Sequence, residues 1–194
     1  MTLARHITVQ AWCCSLAVIA CVACAAQAMA GTLGAWLDSD QPENWNSAHS
    51  AIPAAPQGAR NPDPRCRELA RAPDSEADRQ LRERGWDLVG PYTAGWDIQV
   101  VHAAADYDGM CRPRQFQDFV FVTGVFAGTL SPQPMDSRSD GALTRVTIQS
   151  AANLTAEYAR YTATDPLCCP SGSTAVMFHI EREPPLVSPT SAVR

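Results

Sequence analysis

Two adjacent cysteines, in the stretch DPLCCP at residues 165–170, constrain the fold of this chain more than any other feature. Normal disulfide geometry places the two Cα atoms about 5.5–6 Å apart, whereas the Cα atoms of neighbouring residues lie about 3.8 Å apart. A bond between neighbours would also close a strained ring. We therefore expect Cys168 and Cys169 to form separate disulfides with Cys66 and Cys111, in either of the two pairings that this leaves.

These two disulfides would tie the N-terminal part of the chain and a central loop to the approach of the last strand. Each bond would close a long loop and contribute roughly 3–5 kcal/mol to stability. Zinc is the competing use of these thiols, with His102 and His179 as additional ligands. However, the thiols lack the C-x-x-C spacing that is typical of zinc and redox sites. The sequence therefore predicts no metal site and no cofactor.

Residues 1–30 have the features of a signal peptide. Arg5 supplies a positive start, residues 11–26 form an uncharged apolar run, and AMA at 28–30 is a small-x-small cleavage signal. The apolar run is shorter than the roughly 20 residues that span a bilayer. We therefore predict that the protein is exported.

A second processing route competes with cleavage after AMA. The stretch VIAC at 18–21 resembles a lipobox, in which Cys21 would be acylated and would anchor the protein to a membrane. That route would retain Cys24 as an odd thiol, which is unfavourable in an oxidising compartment. Plain secretion is therefore the preferred prediction, and membrane attachment is expected only if Cys21 is lipidated.

Composition limits the partners and the chemistry of the chain. It has 15 basic residues, all of them Arg, and 20 acidic residues, for a net charge of −5. A chain without Lys cannot form a Schiff base or a P-loop of the Gly-Lys-Ser/Thr type. The acidic balance and the scattered Arg residues argue against nucleic-acid binding, which requires a basic surface.

The mature chain divides into three parts. Residues 31–73 are predicted to form a Pro-rich extended arm, because proline at this density opposes both helix and central strand. Trp36 and Trp45 are expected to fix the arm to the core, the alternative being that the two indoles form an exposed binding face. Residues 74–183 are the predicted folded domain, and the Pro- and Ser-rich residues 184–194 are the predicted flexible tail.

Hydrophobic periodicity over residues 74–183 predicts an α+β fold, mostly antiparallel β-sheet with one or two helices, held by two disulfides. The run at 117–128 is apolar on both faces and predicts a central strand, whereas 142–151 alternates and predicts a strand with one solvated face. The i, i+4, i+7 spacing of Leu154, Tyr158 and Tyr161 predicts a helix. In all, helices are expected over 74–84 and 153–161, and strands over 85–89, 95–104, 117–128, 142–151 and 173–181.

The sequence contains no assembled catalytic set, so no catalytic residue is assigned. A long loop after the buried strand offers the candidate binding residues Gly128, Pro132, Pro134, Met135 and Arg138. The preferred interpretation of that loop is a connection stiffened by proline. His102 is expected to be a hydrogen-bonded, half-buried residue and His179 a surface residue.

Three stretches, DYDGMCRP, FVFVTGVFAGTLSPQPMDSRSDGAL and AEYARYTATDPLCCPSG, resemble the LppP/LprE family of bacterial exported lipoproteins. The resemblance covers roughly residues 85–182. It implies export to the periplasm or cell envelope of a bacterium, and it brings no settled activity and no catalytic residue. Lipidation in that family fits the VIAC stretch, whereas AMA fits plain secretion.

We predict a non-catalytic binding or structural module whose partner is an unknown envelope ligand or protein. The alternative is a secreted hydrolase that uses two convergent carboxylates. Its candidate residues would be Asp106, Asp108, Asp136 and Asp140.

Overall fold

The computed structural model describes residues 34–58 and 63–194, so the predicted signal peptide and Cys21 lie outside the described residues. β-Strand is the main regular structure of the described residues, which also form two short α-helices and one 3-10 helix. In chain order, the elements are the 3-10 helix Ala35–Asp38, helices α1 Pro64–Arg67 and α2 Glu76–Glu83, and strands β1 Asp87–Leu88, β2 Thr93–Gly95, β3 Ile98–Tyr107, β4 Pro113–Val122, β5 Val125–Thr129, β6 Leu143–Ser150, β7 Asn153–Arg160, β8 Gly172–Arg182 and β9 Pro185–Val193.

The strands form two antiparallel sheets. The first sheet has the order β1-β3-β4-β5, with β2 also paired to β3, and the second sheet is the meander β6-β7-β8-β9. Together with the helices and the two disulfides, this confirms the predicted fold class.

A main core lies between the two sheets and a smaller outer core lies on the other face of the first sheet. The first sheet contributes Val100 and Val120 to the main core, and the second sheet contributes Leu154 and Phe178. In the outer core, Phe119 and Phe121 pack against Leu81 of α2 and Trp86. The first sheet is thus covered on both faces, which explains why its strands are more apolar than those of the second sheet.

The predicted central strand is confirmed, but it is shorter than its apolar run. Residues 116–122 of β4 are buried without interruption between β3 and β5. The chain then reverses at Thr123 and Gly124, whose φ angles are 51° and 80°. Positive φ at both central residues is the geometry of the two-residue turns that match strand twist. The run at 117–128 is therefore a hairpin, not one strand.

Helix α2 confirms the helix predicted over 74–84. The Ser75 side chain accepts a hydrogen bond from the Asp78 amide at 3.1 Å, and the Asp78 carboxylate accepts one from the Ser75 amide at 3.3 Å. This reciprocal capping box satisfies amides that the first helical turn leaves without partners. The chain leaves the helix at Gly85, where φ is 88°.

The two tryptophans of the arm attach it to the main core. The rings of Trp36 and Trp45 meet edge to face, with centroids 5.0 Å apart, and Trp36 contacts Tyr158 at the same distance. Trp45 also contacts Phe178 and donates from Nε1 to the Thr129 hydroxyl at 3.1 Å. The expected anchoring role is confirmed, and the alternative of an exposed indole face is wrong.

The helix predicted over 153–161 is wrong, because residues 153–160 form strand β7. Leu154, Ala156 and Tyr158 are all buried in the main core. Their two-residue spacing fits a strand as well as the spacing of Leu154 and Tyr158 fits a helix. Pairing with β6 on one side and β8 on the other decides in favour of the strand, since tertiary pairing overrides local propensity.

The flexible tail predicted over 184–194 is also wrong, because residues 185–193 form strand β9. This strand pairs with β8 and buries Val187 and Ala192. Its prolines occupy tolerated positions: Pro185 is the first residue of an edge strand, and Pro189 lies at a register shift in the ladder. Proline is compatible with both places because neither requires its missing amide hydrogen.

Both predicted disulfide pairings are wrong. Cys66 pairs with Cys111, with Cα atoms 4.7 Å apart, and Cys168 pairs with its neighbour Cys169. Cys66 is fully buried on α1, and its sulfur contacts the carbonyl of Asp108 at 3.9 Å. The turn that follows β3 therefore brings Cys111 to α1 and leaves the two adjacent cysteines to each other.

Candidate binding site at His102

A histidine and an aspartate face each other on neighbouring strands of the first sheet. His102 on β3 and Asp118 on β4 are register partners, and alternation places them on the strand face that Val100 and Val120 bury. The His102 Nδ1 and the Asp118 Oδ1 are 3.0 Å apart, and Asp118 is only 3% exposed. His102 is thus half-buried and hydrogen-bonded, as predicted, while His179 is exposed, also as predicted.

The pair controls the protonation of His102. Burial lowers the pKa of this imidazole, but the charge of Asp118 and its hydrogen bond outweigh burial, so the pKa of His102 is raised above its ordinary value. Since Asp118 holds Nδ1, the proton that titrates is the one on Nε2. Among the described residues, no side chain or backbone group bonds to Nε2.

Two further observations mark the surroundings of Asp118 as polar and tightly buried. Its second oxygen, Oδ2, is buried and has no hydrogen-bond partner in the described part of the chain. The neighbouring Tyr158 donates from its hydroxyl to the carbonyl of Leu130. Burial and, second, the negative charge of Asp118 hold the pKa of Tyr158 well above its ordinary value. Tyr158 is therefore neutral at any physiological pH, and His102 is the group that can balance the charge of Asp118 when it is protonated.

His102 lines a pocket of about 290 Å³ at the end of the sheets where β6 begins and β7 ends. We call it the His102 pocket. Each of the two sheets and two of the connecting loops contribute to its wall. Residues that define it are His102, Phe116, Arg138, Leu143, Tyr161 and Cys168.

Three hydroxyl groups also line the His102 pocket, but their hydrogens are committed to backbone carbonyls. Ser137 donates to Pro113 at 2.7 Å, Thr144 to Glu157 at 3.0 Å and Tyr161 to Leu167 at 3.2 Å. None of the three donates to His102. The donors left for a ligand are therefore the guanidinium of Arg138 and, when it is protonated, Nε2 of His102.

Arg138 differs from most arginines of the described chain. It makes no ion pair or side-chain hydrogen bond with residues 34–58 or 63–194, and its backbone has a positive φ of 62°. By contrast, Arg160 binds Asp140 at 2.9 Å, and Arg71 binds the buried Asp78 at 2.6 Å. The wall of the His102 pocket thus carries a cation whose charge no described carboxylate neutralises.

The four acids named for a hydrolase have separate local partners. Asp108 binds Arg112 and the amide of Met110, and these interactions outweigh burial and lower the pKa of Asp108. Asp136 accepts from the amide of Gln115 at 2.8 Å, and Asp140 binds Arg160 and the amide of Tyr161. Asp106 is the register partner of Arg114. Each acid thus has a local structural setting, and none of the four lines the His102 pocket.

The five residues of the predicted binding loop do not form one site. Gly128 lies in β5 against Asn46, Met135 is buried in the main core, and Arg138 lines the His102 pocket. Pro132 and Pro134 line a second pocket of about 380 Å³, between the arm and the first sheet.

Sequence reasoning missed the His102 pocket because its residues come from five separate segments. The signal that could have located part of it is the hairpin formed by β3 and β4. Once the turn at 108–112 is fixed, counting back along the two strands places His102 opposite Asp118.

Asp165 shapes the loop that carries the adjacent cysteines. Its carboxylate accepts from the amides of Thr162 at 2.8 Å and Ser171 at 3.0 Å, and from the hydroxyls of the same two residues. These hydrogen bonds lower the pKa of Asp165 to about 2. The loop is therefore closed at its base, and it places the Cys168–Cys169 disulfide beside the His102 pocket.

The sequence of this pocket region decides the relationship to known proteins. Residues 92–183 match the LppP/LprE lipoprotein family. The resemblance predicted from the sequence is therefore confirmed. All residues that line the His102 pocket fall inside the LppP/LprE match, whereas the arm, α2 and β9 lie outside it. No curated protein and no solved structure matches the chain.

The LppP/LprE match indicates an exported lipoprotein of the bacterial envelope. Over residues 34–58 and 63–194, no helix combines the length and apolar character needed to cross a bilayer. Within the same residues, no group of three or more His, Cys, Asp or Glu side chains is arranged to hold a metal ion.

Proposed function

We propose that this protein is an exported, non-catalytic module of the bacterial envelope that binds a small ligand in the His102 pocket. The observation that carries the proposal is the unpaired guanidinium of Arg138 on the wall of that pocket. A pocket of about 290 Å³ is close to the lower limit of the volumes that small-molecule sites usually have. A charged donor and an ionisable imidazole at such a pocket are typical of binding sites.

The contacts of the site favour binding over catalysis. An acyl-transfer site needs a nucleophile within hydrogen-bond distance of its base. In the His102 pocket, the hydroxyls of Ser137, Thr144 and Tyr161 donate to backbone carbonyls instead. A carboxylate-dependent hydrolase needs two acids that converge on the substrate, and the pocket lining contains no carboxylate.

Processing at the N-terminus is part of the same proposal. Cleavage after Ala30 would release a secreted protein, and acylation of Cys21 would leave it anchored to a membrane. The intact mass of the exported protein distinguishes the two, because it reports the cleavage site, any lipid and the loss of about two mass units per disulfide. A cytoplasmic protein with an unprocessed N-terminus would contradict the proposal of export.

Ligand binding can be tested by a thermal-shift screen of the exported protein against small envelope-type molecules, including sugars, peptides, carboxylates and phosphates. Thr144→Trp places a large side chain at the His102 pocket, from the exposed end of β6. Thr147→Trp is the matched control, because Thr147 is exposed on the same strand and does not line the pocket.

We expect at least one compound to raise the Tm of the wild type and of Thr147→Trp, but not that of Thr144→Trp. A screen without any such compound would contradict the proposed function. Conversion of a bound compound to product would instead favour the hydrolase, and substitution of Asp106, Asp108, Asp136 and Asp140 by Asn would identify the acids involved.

A further inference from the structure

We propose that the His102 pocket selects a small molecule with one anionic group, a carboxylate or a phosphate, on an apolar body, and that a proton enters with it. This inference rests on the proposed function, because it specifies the ligand class of the same pocket. It follows from three features of the pocket: the charge of its donors, the coupling of His102 to Asp118, and the apolar part of its wall.

The donors of the His102 pocket are cationic. The guanidinium of Arg138 has no carboxylate partner among the described residues, although the chain as a whole carries more acids than bases. The hydroxyls at the pocket are occupied as donors, so a neutral ligand rich in acceptors would find few partners besides Arg138. A carboxylate or phosphate, in contrast, gains charge-assisted hydrogen bonds from a guanidinium, which are about twice as strong as neutral ones.

The His102–Asp118 pair links anion binding to a proton. When His102 is neutral, Asp118 leaves a buried negative charge behind the pocket that opposes an incoming anion. When His102 is protonated, the pair is neutral overall and Nε2 gains a hydrogen that can donate to the ligand. The anion therefore binds more tightly to the protonated form, and its affinity falls as the pH rises through the pKa of His102.

The other charged and titratable groups around His102 leave this linkage intact. Tyr158, from β7, is neutral because its pKa is held well above the ordinary value. Tyr161 and Arg138 line the same pocket as His102. The nearby loop carboxylates, Asp136 and Asp140, are engaged by Arg114 and Arg160. His102 is thus the group at the pocket whose charge changes near neutral pH.

The remainder of the wall is apolar. Phe116, Ala142, Leu143 and Ala159 contribute hydrocarbon surface, and Pro170 and the Cys168–Cys169 disulfide close one side. A disulfide is an uncharged group that cannot donate a hydrogen bond. An inorganic anion would leave this surface without contacts, whereas an alkyl or aryl acid would bury it and gain affinity from the hydrophobic effect.

Isothermal titration of the full exported protein tests the inference with three probes: hexanoate, butyl phosphate and hexanol. We expect both anions to bind at pH 6 at least tenfold more tightly than hexanol, and their ratio reports which head group the pocket prefers. As the pH rises through the pKa of His102, hexanoate affinity should fall by up to about tenfold per pH unit, because one proton is linked to binding. Titrations in buffers of different ionisation enthalpy should report uptake of close to one proton per hexanoate in the same range.

Arg138→Gln should weaken hexanoate binding at least tenfold, while the matched control Arg145→Gln, an exposed substitution on β6, should leave it unchanged. His102→Gln should make the remaining affinity independent of pH. If that variant fails to fold, proton uptake by the wild type still decides the point.

Three outcomes would overturn the inference. Equal binding of hexanol and hexanoate, blocked by Thr144→Trp, would remove the anion preference but leave the proposed binding function standing. Anion binding that Thr144→Trp does not affect would place the anion outside the His102 pocket. Anion binding that Thr144→Trp blocks but that does not depend on pH would remove the linkage to a proton. Failure of the proposed function itself is distinct, since it requires that no compound of the wider screen binds.

Discussion

The side-chain amide of Asn46 occupies the space that a Cβ atom on Gly128 would need. A Cβ at position 128 would lie 2.4 Å from the Cγ of Asn46, and the φ of Gly128 is +140°. Asn46 accepts from the amide of Thr129 at 2.9 Å and donates to the carbonyls of Thr129 and Val187, each at 3.0 Å. One side chain of the arm thus joins β5 of the first sheet to β9 of the second.

We expect Gly128→Ala to destabilise the protein by about 1–3 kcal/mol, because the added methyl group must displace Asn46 and because alanine is strained at this φ. Urea unfolding measures the change. Gly109→Ala is the matched control, since a Cβ at position 109 would meet nothing within 4 Å. Equal stability of the two variants would contradict the tight contact.

Asn46→Ala removes the side chain that links the two sheets. The amide of Thr129 and the carbonyls of Thr129 and Val187 then lose their hydrogen bonds to Asn46. We expect a loss of about 2 kcal/mol or more, because a buried unsatisfied group costs about 1–3 kcal/mol. Asn44→Ala removes two exposed hydrogen bonds, one donated to Ser188 and one accepted from the amide of Asn46, and should cost much less. In a double-mutant cycle, Gly128→Ala should be less harmful in the Asn46→Ala background, because the steric conflict is gone.

The two disulfides should differ widely in their contribution to stability. Replacement of Cys66 and Cys111 by Ala opens a link across a separation of 45 residues and should cost about 4 kcal/mol by loop entropy. Replacement of Cys168 and Cys169 by Ser removes a link between adjacent residues. It should lower the free energy of unfolding by less than about 1 kcal/mol. Thermal unfolding measures both, and peptide mapping without reduction checks the pairing. A peptide that joins position 66 or 111 to position 168 or 169 would overturn it.

The buried pair of Asp78 and Arg71 should make stability depend on acid. Burial alone would raise the pKa of Asp78, but hydrogen bonds from Arg71 and from backbone amides outweigh it, so the pKa lies well below the ordinary 3.8. A group with a lowered pKa contributes stability above its unfolded value and loses it as the pH falls below that value. The contribution of Asp78 is therefore complete at neutral pH and declines below about pH 4.

Asp78→Asn should cost about 3 kcal/mol at pH 7, because it breaks a buried ion pair whose arginine is partly exposed. In urea unfolding at several pH values, the difference from wild type should shrink below pH 4. Glu76→Gln is the control, since Glu76 and Arg79 form an exposed pair, and such pairs contribute little. A difference that stays constant down to pH 3 would argue against ionised Asp78 as the stabilising group.

The sequence predicted the helices and strands whose signals lie within the segment itself, as a capping motif or as an alternation of buried and exposed residues. Ser75 and Asp78 mark the start of α2, and the alternation of Val146 and Ile148 with exposed residues marks β6. These features depend on neighbours within a few residues, so periodicity and capping rules detect them.

Errors arose where distant partners decide the structure. The spacing around Tyr158 predicts a helix, but pairing with β6 and β8 makes this segment a strand. Pro189 predicts a loop, but a register shift in the β8–β9 ladder accommodates it within a strand. The pairing of Cys66 with Cys111 follows from the position of the turn after β3, which the cysteine spacing does not reveal. The His102 pocket needs all of these long-range placements at once, which is why the sequence indicated only its hydrogen-bonded histidine and, as a candidate binding residue, Arg138.

The final strand has a consequence for how the family-matched segment behaves in isolation. Residues 92–183 end where β9 has not yet begun, so a fragment with those limits would present the backbone amides and carbonyls of β8 to solvent along one whole flank. An open flank of this kind is a template for another polypeptide. Such a fragment would pair with copies of itself, and its oligomers would say nothing about the association state of the intact protein.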